Sequence, residues 1–300
     1  MNQFRSVSNR SVSFNIDPRG PCPSGGNREA QNCCLKKSAL HKSLADTSPK
    51  SLRTNYALPT CYAKGLKDCS KRISREHYIS HALLSYLSKN SNLTVSGFPW
   101  LHNKSVNLAP KALASNILCG RHNECLSPLD SIAVRFFQAL DNRGQSKSNR
   151  KLVYLFSGHD VEKWFLKVFC GLSFAKNLNL ERPVDASVPI EWCKILFGQS
   201  DFPKDQGLYI CNEIGYSTTS PNVDLAFRAI SNNKRVSGLG AYICRNEFIL
   251  SMSGFPNRQF DNRSYVYRPL EIYTTSGNFE KSVLFSWEGQ ADKGSIERTI

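Results

Sequence analysis

The sequence predicts an α+β protein with an antiparallel sheet, and three observations carry that reading. Strand-like runs crowd residues 207–286, helical periods occupy residues 127–140 and 159–172, and Cys and His residues cluster between positions 61 and 125. With 300 residues, 40 % apolar and 11 % aromatic, the chain has material for one large core or two ordinary ones.

From the N-terminus, residues 1–54 are rich in Ser, Asn, Pro, Gly, Lys and Arg, with only Phe4 and Phe14 as aromatics. Such a segment buries too little apolar surface to offset its ordering entropy. A disordered basic arm is expected, with a short helix near Lys36 to Leu44 and with Cys33 and Cys34 as incidental free thiols. Over residues 72–87, Ile79, Leu83, Leu84 and Leu87 fit one helical face, which leaves His77 and His81 toward solvent. In SPLDSIAVRFFQAL, residues 127–140, Ser127 suits an N-cap, Pro128 the first helical position and Asp130 a capping box. Leu129, Ile132, Ala133, Phe136, Phe137 and Leu140 then recur at helical spacing. The polar run DNRGQSKSNR, residues 141–150, reads as a linker.

Past it, KLVYLF predicts a strand, and HDVEKWFLKVFCGL, residues 159–172, a helix that buries Cys170. Pro189 opens and Gly198 closes a short helix. GLYICNEIG, GLGAYICRNEFILSMSG, PLEIYTT and SVLFSW follow as strands, the second as a hairpin turning at Arg245 to Asn246. Cys193, Cys211 and Cys244 lie in apolar runs and read as small core residues. The expected partition is an arm over 1–54, a metal-stapled unit over 55–140, a linker over 141–150 and an α+β accessory domain over 151–300.

Charge divides the chain. Residues 1–150 hold 22 Lys and Arg against 8 Asp and Glu, whereas residues 151–300 hold 17 against 16. A polyanion partner is expected for the first half only. No apolar run approaches the roughly 18–20 residues that cross a bilayer, and no secretory signal opens the chain, so the expected location is cytoplasmic, with no membrane partner. There the 11 cysteines stay mostly reduced, and some are free to hold metal.

Structural zinc takes four nitrogen or sulfur donors in a tetrahedron, usually as two short-range pairs. Cys61 and Cys69 offer one pair, C-x7-C, and Cys119 and His122 another, C-x2-H; Cys125 is an alternative donor. Between the pairs lies SREHYISH. Its order, E-H-x-x-x-H, excludes the H-E-x-x-H metalloprotease helix. Glu76 and His77 instead set a carboxylate that suits a hard divalent cation beside an imidazole able to take a proton from water, a pairing that fits phosphodiester hydrolysis.

Acid-His-x-Ile, following two cysteines and followed by C-x2-H-Asn, resembles the zinc-containing branch of HNH (His-Me finger) endonucleases over about residues 58–130. The resemblance implies a ββα unit in which Cys61, Cys69, Cys119 and His122 hold structural Zn²⁺. It implies Glu76 and Asn123 as ligands of a catalytic Mg²⁺ or Mn²⁺, and His77 as general base. The family commonly has C-x2-C where this chain has C-x7-C, and Asn116 lies nearest the family's middle Asn. The intervening TVSGFPWLHNKSVNLAPKAL has two readings: a substrate loop using Trp100, His102 and Lys104, or padding anchored by Phe98 and Trp100.

The expected function is a metal-dependent endonuclease acting on DNA or RNA, with defence against foreign nucleic acid as an analogy. Its rival is a non-catalytic, zinc-stabilised nucleic-acid-binding protein. Lys71, Arg72, Arg75, Lys104 and Arg121 are the expected phosphate contacts, and residues 151–300 are expected to serve specificity, self-association or a protein partner.

Overall fold

Arg235–Ile243 and Asn246–Ser251, buried along almost their whole length, make the hairpin at the centre of a seven-stranded sheet. The computed structural model describes residues 3–10, 12–14, 16–25, 27–36, 39–88, 92–102, 104–141, 151–180, 185–212, 223–232, 235–254, 264–276, 279–288 and 296–298. The hairpin turns on Cys244 and Arg245, one residue earlier than the sequence suggests, and both have positive φ. That is the twist a two-residue turn needs to match its strands. Around the hairpin the strand order is Tyr265–Tyr267, Gly207–Cys211, Asn246–Ser251, Arg235–Ile243, Leu225–Asn232, Leu93–Ser96 and Val106–Leu108. All neighbours are antiparallel except Leu225–Asn232 with Leu93–Ser96. The last two strands come from the first half of the chain, so the two halves share one sheet.

A second sheet runs Gln3–Ser8, Glu271–Ser276, Phe279–Ser286 and Lys151–Ser157, and a small third one joins Val12–Phe14, Ile296–Arg298, Ala39–Leu40 and Leu35–Lys36. These pairings correct the expectation of a disordered arm. Gln3–Ser8 pairs along its whole length with Glu271–Ser276, and the Ala45 N–H donates to the Asp160 carboxylate. The segment has little core of its own and is ordered by the sheets it joins. The short strands Leu35–Lys36 and Ala39–Leu40 stand where a helix was expected. All but the first residue of the expected linker lies outside the described residues.

Among the described residues four α-helices complete the fold: α1 His81–Ser88, α2 Gly120–Leu140, α3 Gly158–Phe174 and α4 Ile190–Leu196. Helix α2 begins seven residues before the expected cap, and Pro128 lies inside it. Proline lacks the N–H that would serve the Glu124 carbonyl, and the Ser127 hydroxyl donates to that carbonyl instead, at 2.9 Å. Ser-Pro therefore marks a repaired interior rather than a start. The expected helical reading of residues 72–77 also gives way, because Ile73–His77 is a strand paired antiparallel with Ala114–Cys119, with a bulge between Ser74 and Glu76.

Phe136 and Phe137 of α2 meet Phe156, Trp164, Phe165, Phe248 and Phe285 edge-on, with ring centroids 5.3–6.3 Å apart. This aromatic group belongs to one hydrophobic core that runs from Val7 to Phe285 and spans both halves of the chain. Helix α3 lies within it. Fifteen of its 17 residues are buried, including Asp160, Glu162, Lys163 and Lys167. Glu162 is fully buried and receives Arg268 through two nitrogens, at 2.6 and 3.0 Å, plus the Leu208 N–H at 2.8 Å. Gly207 has φ +132°, and a Cβ there would strike the Glu162 carboxylate.

Breaking one side of a buried ion pair leaves the other charge uncompensated. Arg268→Met is expected to cost about 3–5 kcal/mol, read as a lower urea midpoint, and Glu162→Gln added to it should recover part of the loss. An unchanged midpoint in the single variant would remove Glu162–Arg268 from the supports of the fold.

Candidate metal centre and the adjoining charge cluster

Cys119 ends the strand Ala114–Cys119, and α2 begins at the next residue, so His122 projects from the first helical turn beside it. Cys61 and Cys69 flank a single 3-10 turn, Lys64–Leu66, which closes on Lys67 in the left-handed region. That turn doubles the chain back and lets a C-x7-C spacing present two thiols to one point. Backbone hydrogen bonds hold the parts together: Tyr62 N–H to Ile117 at 2.9 Å, Cys69 N–H to Tyr56 at 2.8 Å and Gly120 N–H to Arg72 at 3.0 Å.

The four donor atoms of Cys61, Cys69, Cys119 and His122 lie within 4.8 Å of one another, and all four residues are buried. The His122 Nδ1 is 3.6 Å from the Cys61 Sγ, 3.8 Å from Cys69 and 3.2 Å from Cys119. In a zinc tetrahedron with Zn–S about 2.3 Å and Zn–N about 2.0–2.1 Å, the N···S edge is about 3.6 Å. The Cys3His set can therefore hold a metal ion such as zinc. Cys125 stands outside this group.

The electrostatics already favour one thiolate. The hydrogen bond with Cys61 outweighs burial and, with those from His122, pulls Cys119 down to about 3. Cys61 is pushed up by its hydrogen bond with Cys119 and by burial, and Cys69 by burial. On its far side the His122 ring packs 4.6 Å from Phe197, and its Nε2 has no hydrogen-bond partner among the described residues. The support that a ligand histidine usually draws from a carboxylate or carbonyl is replaced by an aromatic wall.

The strand Ile73–His77 lies along α2. The Asn123 amide donates to the Ser74 hydroxyl at 2.9 Å. Two turns further along α2, Asp130 accepts from Lys167 of α3 through both carboxylate oxygens at 2.7 Å, and Glu76 pairs with the same ammonium at 2.6 Å. Asp130 is thus part of an ion cluster rather than the helix cap the sequence suggests. Lys167 and Glu76 are both nearly inaccessible, at 2 % and 5 %. Burial works against the Lys167 charge, but Glu76 and Asp130 overcome it and raise its pKa; burial, offset in part by Lys167, raises that of Glu76. Sequence reasoning did not find Lys167, because only the tertiary fold brings it to Glu76.

His77 ends the strand, half-buried, with its ring 5.1 Å from that of His81. Burial, followed by the positive charges of His81, Arg75 and Lys167, lowers its pKa. Asn123 thus faces Ser74 while Glu76 faces Lys167, so the described hydrogen bonds of these two residues go to different partners. Asn116 is exposed on the opposite strand.

Of the basic residues, Lys71, Arg72, Arg75 and Lys104 are exposed. Arg121 is engaged internally instead, by the Asp68 carboxylate at 3.0 Å and by Ser51. In the inserted segment Phe98 is buried and Trp100 stacks on it at 4.7 Å, while Trp100 itself stays 44 % exposed. Among the described residues no helix is long and apolar enough to cross a membrane. No protein-family model, no curated protein and no solved structure matches the chain.

Purified protein is expected to carry about one equivalent of zinc by elemental analysis, and Cys119→Ser or His122→Ala to lose it together with cooperative thermal unfolding, since site formation and folding are linked. Wild-type protein that melts unchanged after exhaustive chelation would rule out a metal-dependent fold.

Proposed function

We propose that the chain is a zinc-stabilised, divalent-metal-dependent endonuclease of the HNH type, acting on DNA or RNA with His77 as general base. The observation that carries this reading is the order of elements at the Cys3His cluster. Ile73–His77 pairs with Ala114–Cys119, α2 follows without a break, and the cluster clasps the strand end to the helix start. This supports a ββα unit whose first strand carries Glu76 and His77 and whose helix carries Asn123. Zinc staples an element too small to hold its own core.

Glu76 and Asn123 would hold Mg²⁺ or Mn²⁺, which supplies the charge that polarises a scissile phosphate. Glu76, Asp130 and Lys167 together carry two negative charges against one positive, a balance that still favours an added cation. The lowered pKa of His77 keeps its imidazole neutral near pH 7, able to accept a proton from the attacking water. Lys71 and Arg72, exposed just before the same strand, Arg75, exposed within it, and Lys104 would meet backbone phosphates with an affinity that falls with salt. A reducing cytoplasm would keep the cysteines available as ligands.

A second reading, a non-catalytic zinc-stabilised nucleic-acid-binding protein, draws on the Lys167–Glu76 pair, because an ammonium ion already neutralises the carboxylate that a catalytic cation would need.

Supercoiled plasmid and single-stranded RNA, incubated with zinc-loaded protein and Mg²⁺ or Mn²⁺, separate the two readings. Nicking is expected, with His77→Ala of equal zinc content slower by about 10²–10⁴-fold. Cleavage that persists in His77→Ala excludes this residue as the base; salt-sensitive retention of nucleic acid without cleavage by the wild type supports the binding protein.

A further inference from the structure

A second group of thiols lies far along the chain from the metal cluster, in the N-terminal segment. Here the chain folds back on itself: the Cys22 N–H donates to the Arg28 carbonyl, and the Ala30 N–H to that of Gly20. The next turn brings the chain around again, with the N–H groups of Cys33 and Cys34 both on the Ala30 carbonyl. The Cys22 and Cys34 sulfurs then meet at 2.8 Å, less than 1 Å beyond the bonded distance of about 2.0 Å. The Ser24 hydroxyl joins Cys22 at 3.0 Å and reaches the half-buried Cys33 at 3.3 Å. The sequence offered no sign of this, since Cys33 and Cys34 have no partner at metal-ligand spacing.

The surroundings fix the pair in place. Cys22, Cys34, Ala30, Leu40, Leu155 and Leu284 form a small hydrophobic cluster of their own. The Leu155 N–H donates to the Pro23 carbonyl at 3.0 Å, and Arg135 of α2 donates to the Ser24 carbonyl. Unlike the Cys3His group, this one has no imidazole among its described hydrogen-bond partners.

We propose that Cys22 and Cys34 form a reversible redox site that takes a low-molecular-weight disulfide as its oxidant, and that their disulfide closes the N-terminal loop that packs on the strand Lys151–Ser157 and α2. The Cys22 thiolate attacks one sulfur of oxidised glutathione and expels a glutathione thiolate, leaving a mixed disulfide. Cys34 then gives up its proton to that thiolate, attacks the Cys22 sulfur and expels the second glutathione. Two protein thiols are oxidised, one glutathione disulfide is reduced, and two glutathione thiols leave, the second taking back from solvent the proton that Cys22 released. The roles follow the environment. For Cys22, burial is outweighed by its side-chain contacts with Cys33, Cys34 and Ser24, which lower its pKa, whereas burial and the neighbouring Cys22 raise that of Cys34.

The test uses the full, zinc-loaded chain, titrated with mixtures of reduced and oxidised glutathione, blocked with N-ethylmaleimide, digested with trypsin and mapped by mass spectrometry. Cleavage after Arg19, Arg28 and Lys36 separates Cys22 from Cys33 and Cys34. The expected product joins peptide 20–28 to peptide 29–36 through Cys22 and Cys34. It should form at a ratio of oxidised to reduced glutathione at least tenfold below the one that releases zinc, reverse with dithiothreitol, persist in Cys33→Ser and vanish in Cys34→Ser. The proposal is overturned if both cysteines stay alkylated up to the ratio that releases zinc, or if the link runs through Cys33.

Discussion

The structure depends on the enclosure of α3. A helix buried on nearly every side can carry charged residues only where each meets an opposite charge or a hydrogen-bonding group, and those of α3 draw their partners from distant parts of the chain. Asp160 takes the Ala45 N–H from the N-terminal segment, Glu162 takes Arg268 from the C-terminal half, and Lys167 takes Glu76 and Asp130 from the basic half. The halves of the sequence, so different in charge, therefore share a core as well as a sheet. The neutral half supplies the buried helix, and the basic half folds around it.

The same constraint shapes the candidate site. Two clamps fix the strand Ile73–His77 against α2. At one end the Cys3His cluster joins the helix start through His122, and about 12 Å further along, eight residues at 1.5 Å each, Lys167 binds Asp130 to Glu76. Ser74 and Asn123 bridge the interval. The Glu76 carboxylate consequently belongs to the support of the fold as much as to any chemistry on its surface, while His77, one residue on, is left half-exposed at the strand end.

The parts legible in the sequence were those whose physics is local or chemically exclusive. The hydrophobic period of α3, the alternation in the central hairpin and the four Cys3His donors needed no knowledge of the fold, since few other arrangements use those residues at those spacings. What stayed hidden was decided at a distance. Ile73–His77 is too polar to show as a strand until Ala114–Cys119 lies beside it. Ser127-Pro128 carries a helix-start signal, but Ser127 repairs the hydrogen bond that Pro128 breaks, and α2 runs through. The N-terminal residues lack a core of their own and borrow one, and Lys167 meets Glu76 across 91 positions of sequence.

Charge placement follows from this architecture. Inside, the carboxylates around α3 are met by a cation or by a backbone N–H: Glu162 by Arg268, Glu76 and Asp130 by Lys167, and Asp160 by Ala45, because an unmatched charge there costs several kcal/mol. The excess positive charge of the first half is thereby left at the surface, on residues such as Lys71, Arg72, Arg75 and Lys104 that have no core role to fill. Arg121, drawn inward by Asp68 and Ser51, shows the distinction: it shares their sign and neighbourhood but stabilises the loop that carries Cys69. A polyanion reaching this face would meet exposed ammonium and guanidinium groups at the beginning of a strand whose other end carries His77. The strand thus joins a basic surface to the half-exposed imidazole of His77, and the Cys3His cluster and Lys167 hold it beside α2.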